Sequence, residues 1–180
     1  MKLKSILMAT AIMMLTTCGL IAQNSKTLVM YFSWGGTTEK MAKMISSSNG
    51  GELFRIEPTK VYPTSYTPCT EVVKEELDNG IFRQVKKAPD FSKYDTIFVG
   101  VPVWWHTAPT LMTHFLEENK EVLKGKTIIP FCTYQATYRD ETLAALTDAT
   151  PTANHKEGYG TSNPKQADID AWLKKIGVSK

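Results

Sequence analysis

The chain has 180 residues, of which 42% are hydrophobic and 22% are charged, and its formal net charge is +3 at pH 7. This length is sufficient for one domain with a full hydrophobic core. The near-neutral charge, without a basic run or an aromatic–basic stripe, excludes nucleic acid as a partner. The histidines His106, His114 and His155 are scattered, so no metal site is expected.

The first 22 residues have the pattern of an export signal. Lys2 and Lys4 precede an apolar stretch, and Ala22 offers the small residue that a signal peptidase requires. The run that ends at Cys18 also resembles a lipoprotein signal. We therefore expect a signal peptide at 1–22 and an exported, periplasmic protein, attached to a membrane only if Cys18 is lipidated. Retention of the segment as an N-terminal anchor is the alternative.

Strand patterns and amphipathic helix patterns alternate along the rest of the chain. The predicted strands cover 27–33, 52–57, 96–101 and 127–132, with a weaker strand within 153–159. The predicted helices cover 37–47, 70–77, 110–118, 141–146 and 165–176. This alternation predicts a single α/β domain over 26–178, a doubly wound three-layer sandwich around a five-stranded parallel sheet.

The first strand runs directly into a loop of hydroxyls and glycines. Ser33, Thr37 and Thr38 supply hydroxyl donors, while Gly35 and Gly36 let the backbone approach a ligand closely. A helix follows, so its unpaired N–H groups lie at the positive end of the helix dipole and favour an anion. The segment indicates a site for a phosphate monoester. An ordinary turn, with Thr37 or Thr38 as the helix N-cap, is the alternative.

An aromatic loop follows the third strand. Trp104 and Trp105 are adjacent, so they cannot both point to one side of a strand, and at least one must leave the core. Pro102 and Pro109 stiffen the loop and hold the rings in place. A fixed indole near a phosphate site would stack on a planar heteroaromatic ring. The alternative is that both indoles cap the core.

Five motifs occur in order along the chain: Tyr31-Phe-Ser-Trp-Gly-Gly-Thr-Thr38, Glu57-Pro58-x-x-x-Tyr62-Pro63, Tyr94-Asp-Thr-Ile-Phe-Val-Gly100, Pro102-Val-Trp-Trp105 and Gly125-Lys-Thr-Ile-Ile-Pro-Phe-Cys-Thr133. Together they resemble the flavodoxin family, in particular its short-chain bacterial branch. The resemblance implies a flavodoxin-like fold with strand order 2-1-3-4-5 and FMN as cofactor. It implies these cofactor-binding residues: Ser33, Trp34, Gly35, Gly36, Thr37, Thr38, Pro102, Val103, Trp104, Trp105, Thr133, Tyr134 and Gln135.

The loop after the fourth strand departs from the family pattern, because 133–139 contains no glycine. Tyr134 would stack on the flavin and Gln135 would bond its pyrimidine edge, or the loop lies away from the site. His106 is expected to face solvent. Cys132 is expected to be a small buried hydrophobe, with a Cys69–Cys132 disulfide as the alternative.

Three functions are compatible with these features. The first is an FMN-binding redox protein that transfers electrons to a partner protein or a small-molecule acceptor. The second is an NAD(P)H-dependent FMN oxidoreductase or quinone reductase on the same fold. The third is an exported binding module that has lost FMN. The near-neutral charge weakens the match to docking on a basic reductase.

Overall fold

The computed structural model describes residues 26–179. The strands are β1 (Thr27–Tyr31), β2 (Glu52–Arg55), β3 (Thr96–Pro102), β4 (Thr127–Thr133), β5 (Asn154–His155) and β6 (Tyr159–Thr161). The helices are α1 (Thr37–Asn49), α2 (Tyr66–Asn79), α3 (Thr110–Glu118), α4 (Lys120–Leu123), α5 (Arg139–Asp148) and α6 (Gln166–Lys175). The predicted export signal at 1–22, with Cys18, lies outside the described residues. None of the helices between residues 26 and 179 is long and apolar enough to cross a bilayer.

The strands form one parallel sheet in the order β2-β1-β3-β4-β5, and β6 pairs with β4. The prediction of a doubly wound α/β sandwich with order 2-1-3-4-5 is confirmed. The order reverses between β1 and β3, where the chain first winds towards β2 and then crosses to the other side. In such sheets a crevice opens beyond the carboxyl ends of the strands at the reversal.

The last strand differs from the prediction, because it is divided into two short strands. β5 pairs with Thr127 and Ile128, and β6 pairs with β4 from Phe131 onward. Pro130 lies between these two stretches of β4. The Ile128 carbonyl accepts a hydrogen bond from the Lys156 amide, so the backbone of Ile128 faces β5. Pro130, two residues later in the strand, faces the same edge. Proline has no N–H to donate there, which interrupts the ladder and leaves six strands in place of five.

Helix α2 begins at Tyr66, four residues before the predicted start. The prediction was late because proline commonly ends a helix, and Pro68 was therefore placed outside it. The first helical hydrogen bond runs from the Cys69 amide to the Ser65 carbonyl. Pro68 therefore lies in the first turn, where an N–H has no partner within the helix and proline is tolerated.

Two apolar cores lie on the two faces of the sheet. One packs under α1 and α6 and includes Met41, Phe98 and Trp172. The other packs under α2, α3 and α5 and includes Phe32 and Tyr62. Burial on both faces explains the continuous apolar sequences of β1, β3 and β4, since neither side of these strands meets solvent.

Gly100 is required where β3 pairs with β4, because a Cβ there would lie 2.0 Å from the Phe131 ring. We expect Gly100→Ala to lower the free energy of unfolding by about 1–3 kcal/mol through overpacking. Urea denaturation measures the loss. Gly35→Ala is the control, because its added methyl group meets no atom within 4 Å. If Gly100→Ala costs as much in a Phe131→Leu background as in the wild type, the clash is not the cause.

Candidate functional site

A cavity of about 720 Å³ opens beyond the carboxyl ends of β1, β3 and β4. Three loops form most of its wall: the β1–α1 loop, the β3–α3 loop and the β4–α5 loop. The cavity lies at the reversal of strand order, which is where parallel sheets bind ligands. The three loops that carry the predicted cofactor-binding residues therefore meet at this cavity.

The cavity brings together every predicted cofactor-binding residue except Gly36. These lining residues are Ser33, Trp34, Gly35, Thr37, Thr38, Pro102, Val103, Trp104, Trp105, Thr133, Tyr134 and Gln135. The sequence analysis did not predict the remaining lining residues, which are Tyr66, Cys69, Thr70, Val73, His106, Ala136, Thr137 and Tyr138. Four of them, Tyr66, Cys69, Thr70 and Val73, belong to the first turns of α2, and the late predicted start of that helix placed Tyr66 and Cys69 in a loop.

The β1–α1 loop presents the N-terminus of α1 to the cavity. Gly36 is the N-cap, with a φ of 87° that favours glycine, and its amide donates to Ser33 Oγ at 3.1 Å. This replaces the alternative in which Thr37 or Thr38 caps the helix. Within residues 26–179, no side chain caps the first-turn amides. These amides, with the dipole of α1, are available to an anion.

The Thr38 hydroxyl joins two of the loops. Its Oγ1 lies 2.8 Å from Oγ1 of Thr133, and both side chains are buried. One hydroxyl donates and the other accepts, so neither is left unpaired in the interior. The bond holds the start of α1 against the end of β4, on either side of the crevice.

The two adjacent indoles have different surroundings. Trp104 is half-buried and packs edge-on against the rings of Phe32 and Tyr62, with centroid distances of 5.2 and 4.9 Å. Trp105 is 43% exposed, and its Nε1 donates to the Thr70 carbonyl at 2.9 Å. One indole therefore belongs to the core and the other stands at the cavity mouth, as the adjacency of the pair predicts.

A tight turn produces this division. Trp104 and Thr107 form an antiparallel bridge, and the two residues between them, Trp105 and His106, have φ values of 44° and 69°. Positive φ at both central residues is the type I′ turn, which Asn-Gly normally occupies. Side chains as large as indole and imidazole cost about 1–3 kcal/mol each in this region, and such strain concentrates at functional sites.

The β4–α5 loop lines the cavity and contacts the β3–α3 loop. The Tyr138 ring stacks on the His106 ring with centroids 3.8 Å apart, and both side chains are exposed. Tyr138 has a φ of 67°, so it adopts the backbone conformation that glycine commonly supplies. His106 is exposed, as expected, but it also lines the cavity and joins the β3–α3 loop to the β4–α5 loop.

The cavity wall is nearly uncharged. Among the residues between 26 and 179 that line it, none is a carboxylate, a lysine or an arginine. Both described cysteines, Cys69 and Cys132, are buried and free, so they form no disulfide. Burial raises the pKa of Cys69, and raises the pKa of Cys132 to about 12. Both are thiols at neutral pH, which excludes thiolate chemistry at this site.

The sequence profile named Flavodoxin matches residues 26–176. The chain belongs to the flavodoxin family. A protein classed as a flavoprotein from Bacteroides eggerthii DSM 20697 is 32% identical, with a TM-score of 0.75 over 87% of this chain and 100% of that chain. A similar protein from Bacteroides uniformis ATCC 8492 is 28% identical, with a TM-score of 0.71 over 83% and 98% of the two chains.

A flavoprotein from Lactobacillus acidophilus NCFM, solved in complex with FMN, is 22% identical, with a TM-score of 0.70. The match covers 85% of this chain and 99% of that chain, and at this identity it shows the shared fold. No curated protein matches the chain.

A buried ion pair supports the aromatic wall of this flavodoxin-family cavity. Arg83 Nε donates to the Glu76 carboxylate, and both side chains are less than a tenth exposed. The Tyr62 hydroxyl donates to the second Glu76 oxygen at 2.8 Å, and the Arg83 guanidinium lies 3.8 Å from the Tyr62 ring centroid. Tyr62 in turn packs against the Trp104 ring. The ion pair therefore fixes the position of Trp104 through Tyr62.

We expect Arg83→Met to lower the free energy of unfolding by about 3–5 kcal/mol, because it leaves the buried Glu76 carboxylate without a counter-ion. Urea denaturation measures the change. Lys74→Met is the matched control, since it breaks the exposed Lys74–Asp78 pair and should cost less than about 1 kcal/mol. An equal decrease in the free energy of unfolding of the two variants would show that burial of the Glu76–Arg83 pair does not increase its contribution to stability.

Proposed function

We propose that the protein binds FMN and transfers electrons through it to a redox partner. The observation that carries the proposal is the meeting, in one cavity, of an exposed indole and the α1 N-terminus, whose first-turn amides no described side chain caps. The first suits a phosphate group and the second suits a planar ring. The flavodoxin family and the FMN complex of the Lactobacillus relative support the same cofactor.

The described residues fit FMN. The cavity volume lies within the range of about 300–1,000 Å³ that small ligands and cofactors occupy. Residues 33–38 would hold the phosphate with amides and hydroxyls. Trp105 would stack on the ring system, and Tyr134 and Gln135, which follow Thr133, line the same cavity. When bound, FMN supplies the redox chemistry, and the protein supplies orientation and electrostatics.

The surroundings of the cavity favour a moderate reduction potential. Reduction adds negative charge to the ring system, and nearby carboxylates would oppose it. Within 26–179 the lining residues carry no carboxylate, and Asp140, just beyond them, pairs with Arg139 at 2.7 Å. The described residues therefore do not provide the acidic surroundings that would hold the potential strongly negative.

A second candidate function is an NAD(P)H-dependent oxidoreductase that reduces quinones or similar small acceptors. The supporting observation is an aromatic rim at the cavity mouth, formed by Tyr66, Trp105 and Tyr138, which are 74%, 43% and 38% exposed. An aromatic rim suits a small planar molecule better than a charged protein surface. The third candidate, a binding module without FMN, has no comparable support in the cavity.

We propose that the protein works outside the cytoplasm. The pattern at 1–22 supports export, with a lipid anchor if Cys18 is modified. The chain contains no twin-arginine pair, so this route would carry it unfolded and FMN would join it after export.

Titration of the purified protein with FMN, followed by flavin absorbance and fluorescence, tests the proposal. Saturable binding with a perturbed flavin spectrum is expected, and a protein that takes up no FMN would overturn it. The FMN-loaded protein is then mixed with NADPH in the absence of oxygen. Slow or no bleaching favours the electron carrier, whereas rapid bleaching without a partner protein favours the oxidoreductase.

We expect Trp105→Ala to weaken FMN binding by about 1–3 kcal/mol, by analogy with aromatic–base stacking. Fluorescence titration measures the dissociation constant. Phe82→Ala removes an aromatic side chain of similar exposure, 45%, that does not line the cavity, and should leave binding unchanged. An equal effect of the two substitutions would assign no stacking role to Trp105.

A further inference from the structure

Arg55, the last residue of β2, reaches the loop that presents the α1 N-terminus. Its Nη2 donates to the Ser33 backbone carbonyl at 3.0 Å, and its Nη1 donates to Glu39 Oε2 at 2.6 Å. One guanidinium thus joins the end of β2, the base of the loop and the first turn of α1. Arg55 does not line the cavity, and no sequence motif singles it out.

The bond to Ser33 sets the direction of a backbone donor. The peptide that links Ser33 to Trp34 is planar and trans, so its C=O and its N–H point in opposite directions. Because Arg55 holds the carbonyl on the β2 side, the Trp34 amide points away from β2. Without Arg55 the Ser33 carbonyl would lose this hydrogen bond, and the orientation of the Ser33–Trp34 peptide would be less restricted.

Arg55 also acts on the local charge. Glu39 lies in the first turn of α1, where its carboxylate would repel a phosphate group at the same helix end. Arg55 and Lys43 both pair with it at 2.6 Å. The two cations exceed the one carboxylate, so the cluster is positive overall. The hydrogen bond from Lys43, with a smaller contribution from Arg55, lowers the pKa of Glu39, which keeps it charged and paired at neutral pH.

We propose that Arg55 is a positioning residue for the cofactor phosphate, which orients the Ser33–Trp34 peptide and offsets the charge of Glu39. The inference rests on the proposed binding of FMN. It adds that selection of FMN over riboflavin, which lacks the phosphate, depends on a side chain from β2 outside the phosphate loop. The ring end of the cavity does not contact Arg55 and contributes equally to both flavins.

The test compares FMN and riboflavin, each titrated against the wild type, Arg55→Met, Arg55→Lys and Lys43→Met. Methionine keeps an unbranched apolar stem and removes the guanidinium donors. We expect Arg55→Met to raise the FMN dissociation constant about tenfold, the size of a lost charged hydrogen bond. Its riboflavin dissociation constant should change less than about twofold. Arg55→Lys retains the charge without the two-pronged geometry, and should recover part of the FMN affinity.

Lys43→Met is the matched control, because Lys43 also pairs with Glu39 but, among the described residues, donates no hydrogen bond to the loop. It should change the ratio of the two dissociation constants less than about threefold. The dissociation constant of FMN should also rise more steeply with salt in the wild type than in Arg55→Met.

Two results would overturn the inference. In one, Arg55→Met weakens FMN and riboflavin by the same factor, which would make Arg55 a purely structural residue. In the other, the ratio of the two constants stays at its wild-type value in every variant. A wild type that binds neither flavin would instead overturn the proposed function itself, so the two failures are distinguishable. Circular dichroism of each variant without flavin checks that the fold is retained.

Discussion

The hydrogen bond between the Thr38 and Thr133 hydroxyls sets the geometry of the crevice, because it joins loops that are 95 residues apart in the chain. The carboxyl ends of β1, β3 and β4 meet at one edge of the sheet, and parallel pairing alone brings their loops near one another. The bond adds a fixed distance between the start of α1 and the end of β4. The polar end of the cavity is therefore preorganised, and hydroxyls in the interior satisfy one another.

The aromatic end of the cavity depends on a different network. The buried Glu76–Arg83 pair fixes Tyr62, and Tyr62 with Phe32 holds Trp104 in the core. The strained turn that follows then directs the Trp105 side chain to the cavity mouth. The cost of that turn is offset by packing elsewhere, which is how folded proteins maintain unfavourable backbone conformations at functional sites. The two ends also differ in their cations, since Arg55 lies against the β1–α1 loop, whereas Lys74 Nζ lies 5.4 Å from the centroid of the Trp105 ring at the cavity mouth.

The sequence predicted the strands, the helix faces and the hydroxyl–glycine loop, because these depend on residues that are neighbours in the chain. It was wrong about the start of α2, since proline breaks a helix interior but not a first turn, and the sequence does not show which applies to Pro68. It also missed the split between β5 and β6. The effect of Pro130 depends on which edge of β4 its missing N–H faces, and that follows only from the pairing of β4 with β5.

By itself, the sequence determined an α/β sandwich, a phosphate-type loop after β1 and a pair of indoles that could not share one side. The motifs in order also identified the flavodoxin family. Only the tertiary structure decided that Trp104 is the core ring and Trp105 the exposed one, that Gly36 caps α1, and that Arg55 holds the Ser33 carbonyl. The physical reason is separation along the chain. Periodicity and turn chemistry act over a few residues, whereas these contacts join groups that meet only when the sheet has formed.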